Sequence, residues 1–393
     1  MEIHSVNGNA ILKQEVGLSM ARSYKRHQMV VCVTALAILF LGFSQKSWGA
    51  SQDKWKEVVE AGKKEGKVVV SIPASSELRK ELEGAFEQRF PGIDLELFPG
   101  TASKMLRRIS DEFQAGVRYF DIHIGGAGSM ITGFVGGRIV DTIEPNLVLP
   151  EVKEPKNWWG GYMGIDKEKR FTYTFSAFLV SNFWHNTKSA SADELRSYDD
   201  LLNPKWKGKI GWYDPRQPGA GAQAWEFLWK HKGEDYLKRL VTQDLQLSRN
   251  PRVLAESLAR EKLAVTIGMN YYGFRSFVEA GMPLKPLPIF KEGTYGTAGS
   301  GILAIIKNHP HPNATKVFVN WLLSKEGQEV WTKELSQPTR RWDVDTQWTA
   351  KFGSIAAKDN ISLEQWNKVE QISEDNEAAA KAATKSARSL LPD

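Results

Sequence analysis

Residues 268–274 read GMNYYGF, and the adjacent Tyr271 and Tyr272 are the side chains whose types and placing first suggest ligand chemistry. A phenolate is a hard oxygen donor that suits a hard cation such as ferric iron, and a protonated phenol donates a hydrogen bond to an anion. Adjacent aromatics after an apolar run, here AVTI at 264–267, equally suit a packed strand end. The residue types leave both readings open.

A second group of candidates shares a position. PASSE (73–77), GTASK (100–104), GGAGS (125–129), DPRQPGAGA (214–222), SRNP (248–251) and NYYG (270–273) each follow a short apolar run. Ser75, Ser76, Thr101, Ser103, Gly126, Ala127, Ser129, Gly219, Ala220 and Asn270 are small or polar. They let backbone N–H groups and hydroxyls approach a ligand. Where such a turn opens a helix, the free amides and the dipole favour an anion. Lys104 and Arg249 add full positive charge beside two of the turns. The competing reading is plain helix capping, which uses the same residue types.

Patterns for covalent or metal catalysis are missing. GGAGSM and AGSG contain serine without G-x-S-x-G, and H-E-x-x-H, G-x-x-x-x-G-K-[ST] and a strand-following G-x-G-x-x-G are absent. His309 and His311, in NHPHPN, have a spacing open to a metal but sit beside prolines before a helical run. His123, Asp121 and Asp214 are the acid–base candidates if the chain were an exported transferase or lyase. His123, alternating with Asp121 in a strand, reads as a core histidine.

The elements that must position these residues alternate. KVVVSI (67–72), PGIDLELF (91–98) and FDIHIGG (120–126) read as strands. They are separated by amphipathic helices over 75–90, with Leu78, Leu82, Phe86 and Phe90 on one face, and over 103–116, with Met105, Ile109 and Phe113. This order predicts a parallel sheet with crossover helices. FTYTFSAFLVSNFWHN (171–186) is long for one strand and is expected to cross between lobes. A second alternating series follows from 209 to 270, then strands near 284–290 and 299–307, a helix over 312–331, and a polar closing helix after about 360. The expected fold is α/β with two lobes, a hinge and an interlobe cleft. Residues 51–176 plus 270–330 would form lobe 1, and 177–269 plus 331–393 lobe 2. Ligands bind outside the carboxyl ends of strands in such sheets, which is where the candidate turns fall.

The 393 residues are too many for one ordinary core. The formal charge is +6, but residues 1–50 hold Lys13, Arg22, Lys25, Arg26 and Lys46 against Glu2 and Glu15. The remainder is only mildly basic and has no basic stripe with interleaved aromatics, which argues against nucleic acid. Arg22, Lys25 and Arg26 precede the apolar run MVVCVTALAILFLGF (29–43), and small residues follow near 49–51. That is the pattern of a cleaved secretory signal over 1–50, with a true start at Met20 as an option. The run is shorter than the ~20 residues a membrane helix needs. Cys32, the sole cysteine, lies inside it, so the exported chain would have no thiol chemistry.

KVVVSI, FEQRFPGIDLELFPGTASK, DIHIGGAG, LLNPKWKGKIGWYDP and HPNATKVFVNWLLSKEGQ, behind a signal, resemble the periplasmic solute-binding proteins of ABC importers. The nearest branch is the ferric-iron-binding, bacterial transferrin-like one, and the resemblance covers nearly all of 51–340. It implies a type II periplasmic-binding fold that closes on a small ligand and docks on an inner-membrane permease. It further implies a periplasmic, monomeric, non-enzymatic protein that needs no cofactor, with Fe(III) as one possible cargo. In that branch an adjacent tyrosine pair supplies phenolates to iron, and Tyr271 and Tyr272 stand at the matching place. The branch often adds a histidine after the first strand and a glutamate near the second helix. Here those stretches read SIPASSEL and GTASKML, without either ligand and with basic Lys104. Ferric iron held with an anion, and a small organic or phosphonate anion bound alone, both remain open. So does presentation to a membrane sensor in place of a transporter.

Overall fold

The computed structural model describes residues 52–392. The expected signal segment and Cys32 lie outside them. Among the described residues no helix is long and apolar enough to cross a membrane.

The first lobe opens with β1 (Lys67–Pro73), α1 (Ser76–Arg89), β2 (Asp94–Gly100), α2 (Ala102–Gln114) and β3 (Ile122–Gly125). β4 (Val140–Asp141) and β5 (Tyr173–Thr174) follow. The 171–186 stretch, read above as one long crossing, is broken into β5, β6 (Phe178–Val180) and β7 (Phe183–Asn186), which serve three different sheets. Next come β8 (Ile210–Tyr213), α3 (Ala220–Val241), β9 (Gln246–Ser248), α4 (Pro251–Ala259), β10 (Val265–Ile267) and β11 (Leu284–Pro286). The chain ends with β12 (Gly296–Thr297), β13 (Ile302–Ile306), α5 (Pro312–Leu322), α6 (Lys325–Leu335), β14 (Ser354–Ala356) and α7 (Glu377–Leu390).

The first sheet has the order β2-β1-β3-β13-β4, with β5 also on β13. β1 runs parallel to β2 and β3, with Val70 opposite both Leu97 and Ile122. β1 is buried along nearly its whole length, as a central parallel strand covered on both faces must be. α1 covers it with Leu78, Leu82 and Phe86, spaced to fall on one face. The second sheet has the order β11-β7-β10-β8-β9, with β8 parallel to β9 and β10. Its core gathers Trp212, Trp225, Leu228 and Leu240, and the far end of the chain joins it through Ala383, Ala387 and Leu391. The small sheet β12-β6-β14 is built from the segments that pass between the lobes.

Residues 284–286, expected in lobe 1, form β11 and pair antiparallel with β7 in the second sheet. The chain returns to the first lobe after β12, and α6 packs on α1 there. Within the expected 312–331 helix, Ser324 caps a new start, so α5 and α6 are separate.

Arg340 anchors the chain after α6. It is fully buried, and its guanidinium donates to Thr174 O at 2.7 Å, Gly161 O at 3.0 Å and Trp159 O. Burial lowers its pKa to about 10, and it remains a cation at neutral pH.

Candidate functional site

The carboxyl ends of β1, β2 and β3 meet those of β8 and β10 around one cavity of about 470 Å³. A cavity of this size matches those that enclose small organic molecules, roughly 300–1,000 Å³. Each lobe contributes helix starts to its wall.

In the first lobe, α2 begins directly after β2. Its cap residue Thr101 is extended (φ −69°, ψ 150°) and makes no side-chain capping bond. The turn after β3, Ala127–Ser129, likewise starts from Gly126 without a side-chain cap. In the second lobe, α3 begins from Gly219, again without one. Amides that no side chain satisfies are open to an incoming acceptor.

Two glycines allow α3 to start where it does. A Cβ on Gly221 would stand 1.7 Å from Tyr213 O, and one on Gly268 (φ 77°) would stand 2.4 Å from Gly221 Cα. Only bare backbone fits between the ends of β8 and β10 and the first turn of α3. Trp212 Nε1 donates to Gly221 O at 3.1 Å and holds the turn in place.

Three phenols face the cavity: Tyr213, Tyr272 and Tyr295. Burial pushes the Tyr213 hydroxyl up to about 12. Burial also raises Tyr272, while the Asn270 and Ser300 side chains beside its hydroxyl partly offset the rise. Tyr295 is raised well above its ordinary value, chiefly by burial, and Asn182 Nδ2 donates to its hydroxyl at 2.7 Å. At neutral pH all three are therefore hydrogen-bonding phenols. His123 also reaches the wall. Its Nδ1 lies 3.0 Å from Ser71 Oγ, its ring stacks on Phe134 at 4.3 Å, and Nε2 has no partner among the described residues. Burial lowers its pKa to about 3, so the ring is neutral.

Of the expected site residues, Thr101, Gly126, Ala127, Ser129, Gly219, Ala220, Asn270 and Tyr272 line this cavity. The others do not. Ser75 Oγ accepts from Leu78 N at 3.1 Å and closes the start of α1, and exposed Ser76 is the first residue of that helix. Ser103 and Lys104 lie off the wall, Lys104 on the outer face of α2. Arg249 is drawn to Asp214, with Nε to Oδ2 at 2.9 Å. Tyr271 turns into the second-lobe core against Phe352, 4.1 Å between ring centres, and Trp184. The structure thus places the two tyrosines differently, Tyr272 at the cavity wall and Tyr271 in the core.

The acid–base candidates are also engaged. Asp121 accepts from Val69 N at 2.8 Å and from His311 Nδ1 at 2.8 Å, which explains half of the NHPHPN motif. His309 Nδ1 lies 3.0 Å from Ile306 O. Asp214 is bonded by Arg216 and Arg249. Burial alone would raise it, but these hydrogen bonds prevail and hold it at about 2. No group of three or more His, Cys, Asp or Glu side chains suited to a metal occurs among the described residues.

Sequence reasoning missed Tyr213, Tyr295, Asn182 and the wall provided by α7. Tyr213, in GWYD, ends a strand exactly as the other candidate turns do, and that signal was available. Tyr295 and α7 reach the cavity only through tertiary packing.

The model of a family described as bacterial extracellular solute-binding protein matches residues 67–334. An uncharacterized protein of Haemophilus influenzae is 29% identical over 143 residues, 35% of this chain and 40% of that relative's own length. Among solved structures, iron-bound HitA from Pseudomonas aeruginosa superposes with a TM-score of 0.60 at 17% identity, over 82% of this chain and 99% of that one. AfuA from Actinobacillus pleuropneumoniae, with exogenous fructose-6-phosphate bound, gives 0.60 at 20% identity, over 82% and 99%. The ferric binding protein from Campylobacter jejuni gives 0.61 at 16%, over 82% and 99%. These likenesses show the two-lobed periplasmic-binding-protein fold.

Proposed function

The chain belongs to the bacterial extracellular solute-binding proteins, and we propose on that footing that it captures a small organic or phosphorus-containing anion between its lobes. The observation that carries this reading is the set of helix starts at Thr101, Gly126 and Gly219, which bring uncapped backbone amides to one cavity. Together they provide donors and partial positive charge for an anion. Tyr213 and Tyr272, kept protonated, add hydroxyl donors. The two lobes close about the segments of the small sheet, and the loaded form is delivered to the permease of an ABC importer. The protein acts in the periplasm as a monomer after loss of residues 1–50, and it binds without turnover.

The cavity is the wrong shape of demand for a bare cation. Burial raises all three phenols, so forming a phenolate there costs more than in water. Three phenols on one wall nevertheless favour a second reading, ferric iron carried together with an anion. HitA and the Campylobacter protein are an iron-bound and a ferric-binding protein in name. One titration separates the two. Isothermal calorimetry with inorganic phosphate, fructose 6-phosphate and citrate, each with and without ferric ion, is followed by visible absorption. Saturable heat without ferric ion is the expected result. Binding that needs ferric ion, with a phenolate charge-transfer band lost in Tyr272→Phe, would replace the anion reading by the iron one.

A further inference from the structure

The family match ends at residue 334, yet the cavity wall continues beyond it. α7 supplies Ala380, Lys381, Thr384, Lys385 and Arg388, spaced as one helical stripe. Its other face, with Ala383 and Ala387, is sealed into the second-lobe core. α7 runs antiparallel along α3: Lys230 Nζ donates to Asn376 Oδ1 at 3.3 Å at one end, and Arg216 donates to Pro392 O at the other. The stripe is therefore held rigidly beside the start of α3.

Its charge is one-sided. Lys381 pairs with Glu377 at 2.8 Å, whereas Lys385 and Arg388 have no carboxylate partner among the described residues. Lys381 to Arg388 covers about 10 Å of helix. The wall also carries buried Glu226, whose charge Lys230 offsets at 2.7 Å, and His123 Nε2, Asn182 Oδ1 and Gln371 Oε1 lack a hydrogen-bond partner among the described residues, the last two on residues 1% and 8% exposed. A buried acceptor left without a donor costs free energy that a ligand hydroxyl would recover. The volume of about 470 Å³ far exceeds what a single anionic group fills.

We propose that α7 is a second binding wall, on which Lys385 and Arg388 with Lys381 hold the far anionic group of a ligand that carries two such groups joined by a hydroxylated chain. This rests on the anion reading of the helix starts, which take the near group. The hydroxyls between the two groups donate to Asn182 and Gln371. A wall fixed to one lobe selects ligand length as well as charge.

The test compares dissociation constants of fructose 6-phosphate and fructose 1,6-bisphosphate, by calorimetry on the purified chain. The expected result is a preference for the bisphosphate of about tenfold, the size of one or two charge-assisted bonds at a partly exposed site. In K385E/R388E the ratio falls to about one, and in K385Q/R388Q it falls part of the way. The control R260E/K262E makes the same change of charge on exposed second-lobe residues away from the cavity and keeps the wild-type ratio. The wall is overturned if the wild type shows no preference, if K385E/R388E keeps it, or if the control loses it equally. If the wild type binds neither sugar phosphate nor inorganic phosphate, the anion reading of the cavity falls, and the wall with it. Unchanged melting temperatures for the variants confirm that each ratio is read on folded protein.

Discussion

The turn after β1 and the turn after β2 lie side by side at the carboxyl edge of the first sheet, and they treat their backbone amides differently. After β1, Ser75 turns its hydroxyl back to Leu78 N and completes α1 from within. After β2, Thr101 makes no such bond and α2 starts open toward the cavity. Both segments are small, polar and followed by a helix. One uses its polarity for its own stability, and the other leaves its amides uncapped at the cavity. The adjacent tyrosines repeat the lesson at closer range. Tyr271 is 6% exposed and stacked in the core, while Tyr272 stands at the wall. Similar residue types at similar places thus divide between the core and the cavity wall.

The strongest way to break this contrast is to fill the space that lets α3 start open. Gly221→Val places a branched side chain against Tyr213 O and must displace the helix start. We expect destabilisation of about 3 kcal/mol or more and loss of ligand binding by over about a hundredfold. Urea unfolding and calorimetry measure the two. Arg340→Met is expected to cost about 3 kcal/mol, because three carbonyls lose a buried charged donor. Binding by the folded fraction should persist, since Arg340 does not line the cavity.

The tyrosines sharpen the contrast. Tyr271→Ala should cost about 3 kcal/mol of stability through the lost ring. Tyr272→Phe should leave the melting temperature within about a degree or two and weaken anion binding by about tenfold, one hydrogen bond to a charged group. Equal binding losses in Tyr271→Phe and Tyr272→Phe would show that the two tyrosines do not divide the roles.

His123 predicts a pH dependence. Its folded pKa is about 3 against an ordinary 6.5, because burial disfavours the imidazolium. The unfolded chain binds the extra proton first, so the stabilisation is complete above about pH 6.5 and falls as pH drops toward 3. The slope is at most about 1.4 kcal/mol per pH unit. In His123→Gln this part of the slope between pH 6.5 and 4 should disappear. Asp214 acts lower, its stabilisation being lost only as pH falls from its ordinary 3.8 through about 2. The smallest effect belongs to the capped turn. Ser75→Ala should lose about 1 kcal/mol with no change in binding, whereas Thr101→Ala should do the reverse.

Much of the fold was legible because burial imposes periods on the sequence. KVVVSI read as a strand, and Leu78, Leu82 and Phe86 as one face of a helix, and the structure has both so. The rule that ligands sit at the carboxyl ends of parallel strands then located Thr101, Gly126, Ser129, Gly219 and Tyr272 on one wall. The rule could not sort among the turns. Whether a serine caps its own helix depends on its rotamer, and whether a tyrosine faces core or cavity depends on a partner such as Phe352, eighty residues away in sequence by rough count.

The amino-acid sequence by itself determined the alternation of strands and helices, the two α/β lobes and the strand ends that line the cavity, because hydrophobic periodicity and chain handedness are local and general. Only the tertiary structure decided where the chain returned to the first lobe, since that turned on β11 pairing with β7. Only it brought Tyr295 and the basic stripe of α7 to the cavity, because their place depends on packing between segments far apart in the chain.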